Sequence, residues 1–204
     1  MDVPRDKRES HERILAAARE EFMAQGFGNA SLRRIAAAAG LTAAALYRHF
    51  ESKEALFAAL ADPAVQALND WLESHIARCT ERLLSGEGDL WQDTEIGMMR
   101  QVVYPRMEDY RLLLSRAQGT RYETFLHDLV EYHQEKMLEF LPLLRRQGYD
   151  VRKIEPKELH LFLSAYTTAL FEPVIHDYTM EEALHCLDAV EEFFMPGWQR
   201  IMGF

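Results

Sequence analysis

The chain has 204 residues, 48% of them hydrophobic and 27% charged, and a formal net charge of −10. This length allows one large or two small domains with ample material for a core, and the composition is ordinary for a soluble globular protein. No apolar run approaches the roughly 20 residues that a membrane span requires, and the first residues are charged, so we expect neither membrane insertion nor export. Cys79 and Cys186 form no metal-type spacing, and we expect free thiols in a reducing cytoplasm.

The first predicted helix runs from Asp6 to Gln25. Its apolar residues recur at helical spacing and form a single stripe, consisting of Ile14, Leu15, Ala18 and Phe22. This stripe is expected to pack across the next two helices. Gly26 is expected to close the helix, because glycine readily adopts the left-handed conformation that commonly follows a helical C-terminus.

Residues 31–57 contain two short helical patterns that meet at a glycine. The first pattern has an apolar face at i, i+3, i+4 and i+7, formed by Leu32, Ile35, Ala36 and Ala39. Arg33 and Arg34 are directed away from this face. Ser31 is the expected N-cap, and Gly40 supplies the left-handed residue at which the helix ends.

The second pattern follows Thr42, which is the expected N-cap of a helix that begins at residue 43. Leu46 and Phe50 point to the core. The free face of this helix consists of Ala43, Ala44, Tyr47 and Arg48. Small residues beside a tyrosine and an arginine suit the floor of a DNA major groove, where bulk would block approach. We therefore interpret residues 31–57 as a helix-turn-helix, with Lys53 placed to meet a phosphate.

The charge is divided unevenly along the chain. Residues 1–60 hold nine Lys/Arg and eight Asp/Glu, a net of +1, whereas residues 61–204 hold fourteen and twenty-five, a net of −11. The acidity therefore lies in the second part, and basic side chains cluster around the presumed groove face, as phosphate binding requires. A basic arm formed by Arg5, Lys7 and Arg8 either reaches along the DNA backbone or is a disordered tail.

The run GLTAAALYRHFESKEALF, preceded by IAAAAG and GFGNASL, resembles the N-terminal domain of the tetracycline-repressor-like (TetR) family of bacterial transcriptional regulators, over about residues 13–60. The resemblance implies an all-α fold of about nine helices. It places a three-helix DNA-binding head at residues 1–51 and a ligand-binding, dimerising body at residues 52–204. It further implies a homodimeric regulator that binds a palindromic double-stranded DNA operator, usually as a repressor, and that needs neither catalytic residues nor a cofactor.

The expected DNA-binding set is Ser31, Arg33, Arg34, Thr42, Ala43, Ala44, Tyr47, Arg48, His49 and Lys53. By the resemblance, phosphate contacts fall to residues 42, 47, 49 and 53, and bases face residues 43, 44 and 48. Family members often carry polar residues or glycine where this chain has three alanines, at 43–45. Because alanine can only press on a thymine methyl, hydrogen-bonded readout would fall mainly to Arg48, with Arg33 or Arg34 as further candidates.

The remainder of the chain is predicted to be helical, without strands. A helix from Ser52 to Leu84 is expected to break or kink at Pro63, because proline removes an internal hydrogen bond. A loop is predicted at residues 85–88. Further helices are predicted at residues 90–104, 108–117, 120–147, 156–176 and 180–201, with kinks expected at Pro142, Pro173 and Pro196.

The last two predicted helices carry more apolar surface than one chain can cover. Helix 156–176 has apolar stripes on two sides, which indicates burial on two sides. We predict a four-helix bundle across a two-fold axis. Its expected interface is formed by Leu161, Ala165, Thr168, Ile175, Leu187, Val190, Phe194 and Trp198. The alternative is that one stripe packs within the same chain.

The middle of the chain is rich in methionine and aromatic residues, which could line a cavity for a small apolar or aromatic effector. The candidate pocket residues are Met98, Met99, Val102, Met107, Tyr110, Tyr122, Phe125, Leu129, His133, Phe162 and Tyr166. For each of them, ordinary core packing is the alternative.

Histidines in the predicted helix 120–147 allow a different interpretation. His127 lies one turn from Glu123 and Glu131, and a His and a Glu at i, i+4 can share a metal ion. A solvated ladder of charges is the alternative. Competing functions are an all-helical metal-dependent enzyme built around His127, Glu131 and His133, and a dimeric scaffold that binds a protein partner. The scaffold leaves the helix-turn-helix unexplained, and the sequence has no nucleophile elbow, phosphate loop or HExxH helix.

Overall fold

The computed structural model describes residues 5–86 and 94–204, with side chains described from residue 7 onward. These residues form helices and no strand, which confirms the predicted all-α class. The helices are α1 (Arg5–Asn29), α2 (Leu32–Ala38), α3 (Ala43–Tyr47), α4 (Lys53–Ser85), α5 (Glu95–Met98), α6 (Met107–Arg116), α7 (Phe125–Arg146), α8 (Pro156–Ile175) and α9 (Met180–Met202). None of these described helices is both long and apolar enough to cross a membrane.

The chain divides into two compact units. Unit 1 comprises Met1–Gln66 and Glu108–Glu123, and unit 2 comprises Ala67–Met107 and Thr124–Phe204. Helix α4 contributes its first half to unit 1 and its second half to unit 2. The predicted boundary after residue 51 divides the expected DNA-binding part from the expected ligand-binding and dimerising part. It does not coincide with the division into compact units, and it stays a prediction.

Unit 1 is organised around an aromatic cluster. The ring centroid of Phe57 lies 5.1 Å from that of Phe22 and 5.5 Å from that of Phe27, both in edge-on arrangements that aromatic pairs favour. Residues 108–123 close this core: the buried Tyr110 hydroxyl donates to Ala64 O at 2.8 Å, and Arg116 Nε donates to Met23 O at 2.7 Å.

Unit 2 is built mainly from α7, α8 and α9. Helix α8 starts with a capping box between Glu155 and Glu158, and α9 starts with one between Thr179 and Glu182. Such boxes satisfy backbone donors at both helix starts. The buried side chains of α8 recur every three or four residues, as the sequence pattern predicted for one of its stripes: Leu159, Leu163, Tyr166, Leu170 and Val174.

Two predicted helix boundaries differ from the observed ones. Helix α7 begins at Phe125 rather than at residue 120, because Gly119 has a positive φ of 85° and residues 120–124 form turns. The helical path does not stop at Pro105. A π-helical turn (Met99–Val103) and a 3-10 turn (Tyr104–Arg106) connect α5 to α6, and Pro105 occupies the first turn of the latter, where its missing N–H costs nothing.

Helix α4 continues through Pro63 without a break, and Pro142, Pro173 and Pro196 likewise lie inside helices. The helical conformation of α1 is interrupted at Gly26, as predicted, although helical turns resume to Asn29. The first four residues of the predicted helix 90–104, and residues 87–88 of the predicted loop, lie outside the described residues.

Candidate nucleic-acid interface and internal cavity

Local capping fixes the geometry of α2 and α3. Ser31 Oγ accepts from Arg34 N at 3.5 Å, and Thr42 Oγ1 accepts from Ala45 N at 3.2 Å, so both predicted N-caps are confirmed. Gly40 has a φ of 69°, which only glycine adopts without strain, and Leu41 N then donates back to Ala36 O at 2.8 Å. The arrangement is a helix, a tight turn and a second helix.

A clasp around Glu21 ties α1 to α2. Glu21 Oε1 accepts from Ser31 N and from Arg34 Nε, each at 2.8 Å, and from a second guanidinium nitrogen at 2.5 Å. Arg34 also donates to Asn29 O at 3.0 Å. The hydrogen bonds from Arg34 lower the pKa of Glu21, and those to Glu21 raise the pKa of Arg34. Arg34 is therefore occupied within the chain, unlike the neighbouring Arg33.

The outward face of α2 and α3 carries Arg33, Ala44, Tyr47 and Arg48, all exposed. Tyr47 is 54% exposed, which is high for a large aromatic side chain in a folded domain. Within the part of the chain that the structure describes, the side chains of Arg33 and Arg48 make neither a hydrogen bond nor an ion pair. Arg33 on α2 is thus presented together with Tyr47 and Arg48 at α3, the helix expected to enter the groove, beside small residues.

Lys53 has two partners that sequence reasoning missed. Its Nζ donates to Gly28 O at 3.1 Å and to Ala30 O at 3.3 Å, and it lies 4.6 Å from the ring centroid of Phe27. An ammonium group has three donors, so one remains for a phosphate. Lys53 therefore anchors the end of α1 as well as being a candidate phosphate ligand.

His49 is half-buried near His11, whose ring stacks on Phe50 at 4.9 Å. Burial lowers the pKa of His49, and the nearby charges of His11, Lys7 and Arg48 lower it further. Lys7 and Arg8 of the predicted basic arm are exposed residues of α1 rather than a disordered tail, whereas the Arg5 side chain lies outside the described part.

These features define a helix-turn-helix, a motif typical of DNA-binding proteins. Residues 14–60 match the family model described as "Bacterial regulatory proteins, tetR family". The matched residues agree with the resemblance to the TetR family that the sequence predicted over residues 13–60.

Two relatives share the N-terminal part. The HTH-type transcriptional regulator YdgC of Bacillus subtilis is 39% identical over 80 residues, which are 39% of this chain and 37% of YdgC. TtgW of Pseudomonas putida, also an HTH-type regulator, is 47% identical over 57 residues, 28% of this chain and 42% of TtgW. The chain thus aligns with about two fifths of the length of these relatives.

The fold resembles that of a solved repressor over nearly the whole length. The crystal structure of NalD, the secondary repressor of the MexAB-OprM multidrug efflux pump in Pseudomonas aeruginosa, superposes with a TM-score of 0.50 at 22% identity. The superposition covers 95% of this chain and 96% of NalD. At this identity the likeness shows a shared fold.

Unit 2 encloses a cavity of about 130 Å³ between α4, α5, α7, α8 and α9. Of the eleven predicted pocket residues, the structure brings two, His133 and Tyr166, to its wall. Tyr110 and Tyr122 belong to unit 1. The other seven lie in unit 2 but do not line the cavity: Met98, Met99, Val102, Met107, Phe125, Leu129 and Phe162. Richness in methionine and aromatic residues did not reveal which side chains face the void.

Helix α4 supplies wall residues that sequence reasoning missed: Leu72, His75, Ile76 and Cys79. Their spacing of i, i+3, i+4 and i+7 was the available signal, because it places them on one helix face. Trp198, which was predicted at the dimer interface, also lines the cavity. It is only 5% exposed.

The predicted dimer interface is divided by the structure. Leu161 of α8 is 64% exposed, and Ala165 and Thr168 are exposed on the same helix. Ile175, Val190 and Phe194 are half-buried, whereas Leu187 and Trp198 are buried within their own chain. Phe193, which was not predicted, is 77% exposed on α9. The exposed apolar surface therefore includes predicted residues of α8 together with Phe193 of α9, and the predicted interface stays a prediction.

The histidine ladder on α7 is solvated. His127 Nε2 lies 3.3 Å from Glu131 Oε1, and both side chains are more than half exposed. Among the residues that the structure describes, no three His, Cys, Asp or Glu side chains are grouped to hold a metal ion.

Proposed function

We propose that this chain is a ligand-responsive transcriptional repressor that binds a palindromic operator as a homodimer in the cytoplasm. The observation that carries the proposal is that α2 and α3 have one set of side chains that fixes their positions and another set that is exposed. Arg34 and Thr42 hold the two helices in place, whereas Arg33, Tyr47 and Arg48 are exposed on the outward face. In DNA-binding helix-turn-helix proteins, such outward residues of the second helix contact bases and phosphates.

Dimerisation is supported by the exposed apolar side chains of α8 and α9. Leu161 and Phe193 expose most of their surface, and small residues such as Ala165 would let a second helix approach closely. Covering them with the same surface of a second chain creates a two-fold axis. A two-fold dimer presents two α3 helices to two half-sites, which matches a palindromic operator.

Regulation by a ligand is supported by the path of α4. The helix begins at Lys53, beside the candidate DNA interface, and its residues Leu72 to Cys79 line the cavity of unit 2. A guest that shifts this helix therefore acts on a continuous element of both units. If a ligand weakens operator binding by roughly 5–150-fold, the operator must weaken ligand binding by the same factor.

The test is operator binding followed by fluorescence anisotropy. An operator is first selected from fragments of the native genome with wild-type protein. Arg48→Ala should weaken binding by roughly 1–3 kcal/mol and relax base preference at one position per half-site. Lys53→Ala should weaken binding to all sequences alike and reduce the salt dependence.

The matched control is Arg146→Ala, which removes an exposed arginine at the end of α7 in unit 2. It should leave operator affinity and its salt dependence unchanged. Failure to select any DNA fragment, or equal affinities of wild type, Arg48→Ala and Arg146→Ala, would contradict the proposed function.

A further inference from the structure

One end of the cavity in unit 2 is polar. The Tyr166 hydroxyl donates to Glu95 Oε2 at 3.4 Å, and the ring of Tyr166 lies 5.9 Å from that of Trp198. Glu95, Tyr166 and Trp198 all line the cavity, and so does His133. The rest of the wall is mainly apolar, with side chains such as Leu72, Phe140 and Leu163.

Two nitrogen atoms at this end have no hydrogen-bond partner. Trp198 Nε1 and His133 Nε2 are both inaccessible to solvent and unpaired among the described residues. Leaving a buried donor unpaired costs roughly 1–3 kcal/mol, so such groups are uncommon in a folded chain unless something else satisfies them. The indole N–H can only donate, so an acceptor that enters the cavity can pair with Trp198.

The charge at the polar end is negative. Glu95 and Glu191 both act on Tyr166 and raise the pKa of its hydroxyl, together with burial, which is the largest cause. Lys136 also lines the cavity, but its Nζ lies 2.9 Å from Glu139 Oε2 and 3.8 Å from Glu135 Oε1, so its charge is already compensated. Burial lowers the pKa of His133 and so disfavours its charged form. Among the described residues that line the cavity, none offers an uncompensated cation to balance a negatively charged guest beside Glu95.

We infer that this cavity binds a mainly apolar, uncharged molecule with a hydroxyl head group, and that it discriminates against carboxylates. A hydroxyl oxygen can accept from Trp198 Nε1–H while its proton is donated to Glu95. A carboxylate guest can also accept from Trp198 Nε1–H, but the Glu95 carboxylate repels it. An apolar cavity of roughly 150 Å³ holds a benzene molecule, so the cavity suits a guest with one ring. The inference rests on the proposed role of unit 2 as the effector-binding part.

Three probes with the same ring separate these possibilities: 2-phenylethanol, its methyl ether and phenylacetate. The ether accepts a hydrogen bond but donates none, and phenylacetate carries the negative charge. Full-length protein labelled with ¹⁵N is titrated with each probe at millimolar concentrations, and the indole N–H signals are followed by NMR. The Trp198 signal is assigned by its absence in Trp198→Phe. We expect 2-phenylethanol to shift this signal and to bind roughly 10-fold or more tightly than phenylacetate, with the ether between them.

Glu95→Gln removes the charge and keeps the size of the side chain. It should bring the affinities for phenylacetate and 2-phenylethanol to within about threefold of each other, since repulsion of the anion is lost. Glu131→Gln is the matched control, because Glu131 is exposed on α7 and does not line the cavity. It should keep the full preference for the alcohol.

The inference is overturned if phenylacetate binds as tightly as 2-phenylethanol to wild type, if no probe shifts the Trp198 signal, or if Glu95→Gln keeps the wild-type preference. Should Trp198→Phe fail to fold, the signal is assigned from Trp71→Phe and Trp91→Phe by elimination. Operator binding is measured on the same preparations without probes. If the protein binds DNA but none of the probes, the inference about the cavity is contradicted and the proposed role as a DNA-binding regulator is not. If the protein binds the probes but no DNA, only the proposed function is contradicted.

Discussion

The two units differ in the hydrogen bonding of some of their buried polar side chains. In unit 1, the Tyr110 hydroxyl and the Arg116 guanidinium each donate to a backbone carbonyl, at 2.8 and 2.7 Å. In unit 2, the Trp198 indole nitrogen and His133 Nε2 line a cavity and remain unpaired among the described residues. A paired group stabilises one arrangement of the chain, while an unpaired one costs stability until a guest pairs with it. In unit 1, Arg19 Nη1 also lacks a hydrogen bond, but it forms an ion pair with Asp109. The contrast supports the proposal that unit 2 binds a ligand.

The exposed surfaces of the two units also differ, in charge and in polarity. Unit 1 presents the cations Arg33 and Arg48, which suit a polyanion, and unit 2 presents the apolar side chains Leu161 and Phe193, which suit a second copy of the chain. Mutational tests can break or sharpen this comparison.

The largest expected effect comes from Phe193→Glu or Leu161→Glu, which place a charge in the proposed dimer interface. Either change should produce monomers, because an unpaired charge is costly to bury. Operator affinity should fall roughly 100-fold or more, since a monomer contacts one half-site and loses the gain from linked binding. Sedimentation velocity and fluorescence anisotropy measure the two effects.

Leu84→Glu serves as the control for these changes. Leu84 is 61% exposed, close to the 64% of Leu161, but lies on α4 outside the proposed interface. It should leave both the oligomeric state and the operator affinity unaltered. Dimers that persist in both Phe193→Glu and Leu161→Glu would remove this surface from the interface.

The next effect concerns His133. Replacing it by leucine removes an unpaired buried nitrogen, so His133→Leu should raise the free energy of unfolding by roughly 1–3 kcal/mol. His160→Leu is the opposite case, because His160 Nδ1 lies 2.8 Å from Gln134 Oε1 and that hydrogen bond would be lost. Urea unfolding should therefore show one histidine variant stabilised and the other destabilised. A loss of stability in His133→Leu would contradict the comparison.

The same histidine gives a dependence on pH with a definite sign. Burial lowers the pKa of His133 below its ordinary value of 6.5, opposed by Glu95 and assisted by His75. Below about pH 6.5 the unfolded chain therefore binds a proton that the folded chain does not, and stability falls as the pH falls. His133→Leu should flatten this part of the wild-type profile in urea unfolding measured between neutral and acidic pH.

The smallest expected effect separates two buried tyrosines. Tyr110→Phe removes a 2.8 Å hydrogen bond in unit 1 and should cost roughly 0.5–1.5 kcal/mol of unfolding free energy. Tyr104→Phe removes a long contact of 3.4 Å to Ala183 O in unit 2 and should cost less. The loss of unfolding free energy is measured for both variants by thermal or urea unfolding. Equal losses would show that the length of the hydrogen bond does not decide how much each tyrosine contributes to stability.

The two units also differ in how far their structure followed from the sequence. The caps at Ser31 and Thr42 and the turn at Gly40 act between residues a few positions apart, so the local pattern was enough to predict them. The cavity depends on side chains brought together from five helices, and composition could not show which of them would face a void. The pairing of Arg34 with Glu21 joins residues thirteen positions apart and was missed for the same reason.

The Glu21 clasp has a consequence for engineering. It positions α2 through Ser31 and Arg34, and α3 is then held by Thr42 and the buried Leu46. Positions 43, 44 and 48, which are predicted to face bases, take no part in any side-chain hydrogen bond or ion pair within the described chain. A library randomised at these three positions, with the clasp untouched, would therefore sample new operator sequences on an unchanged scaffold.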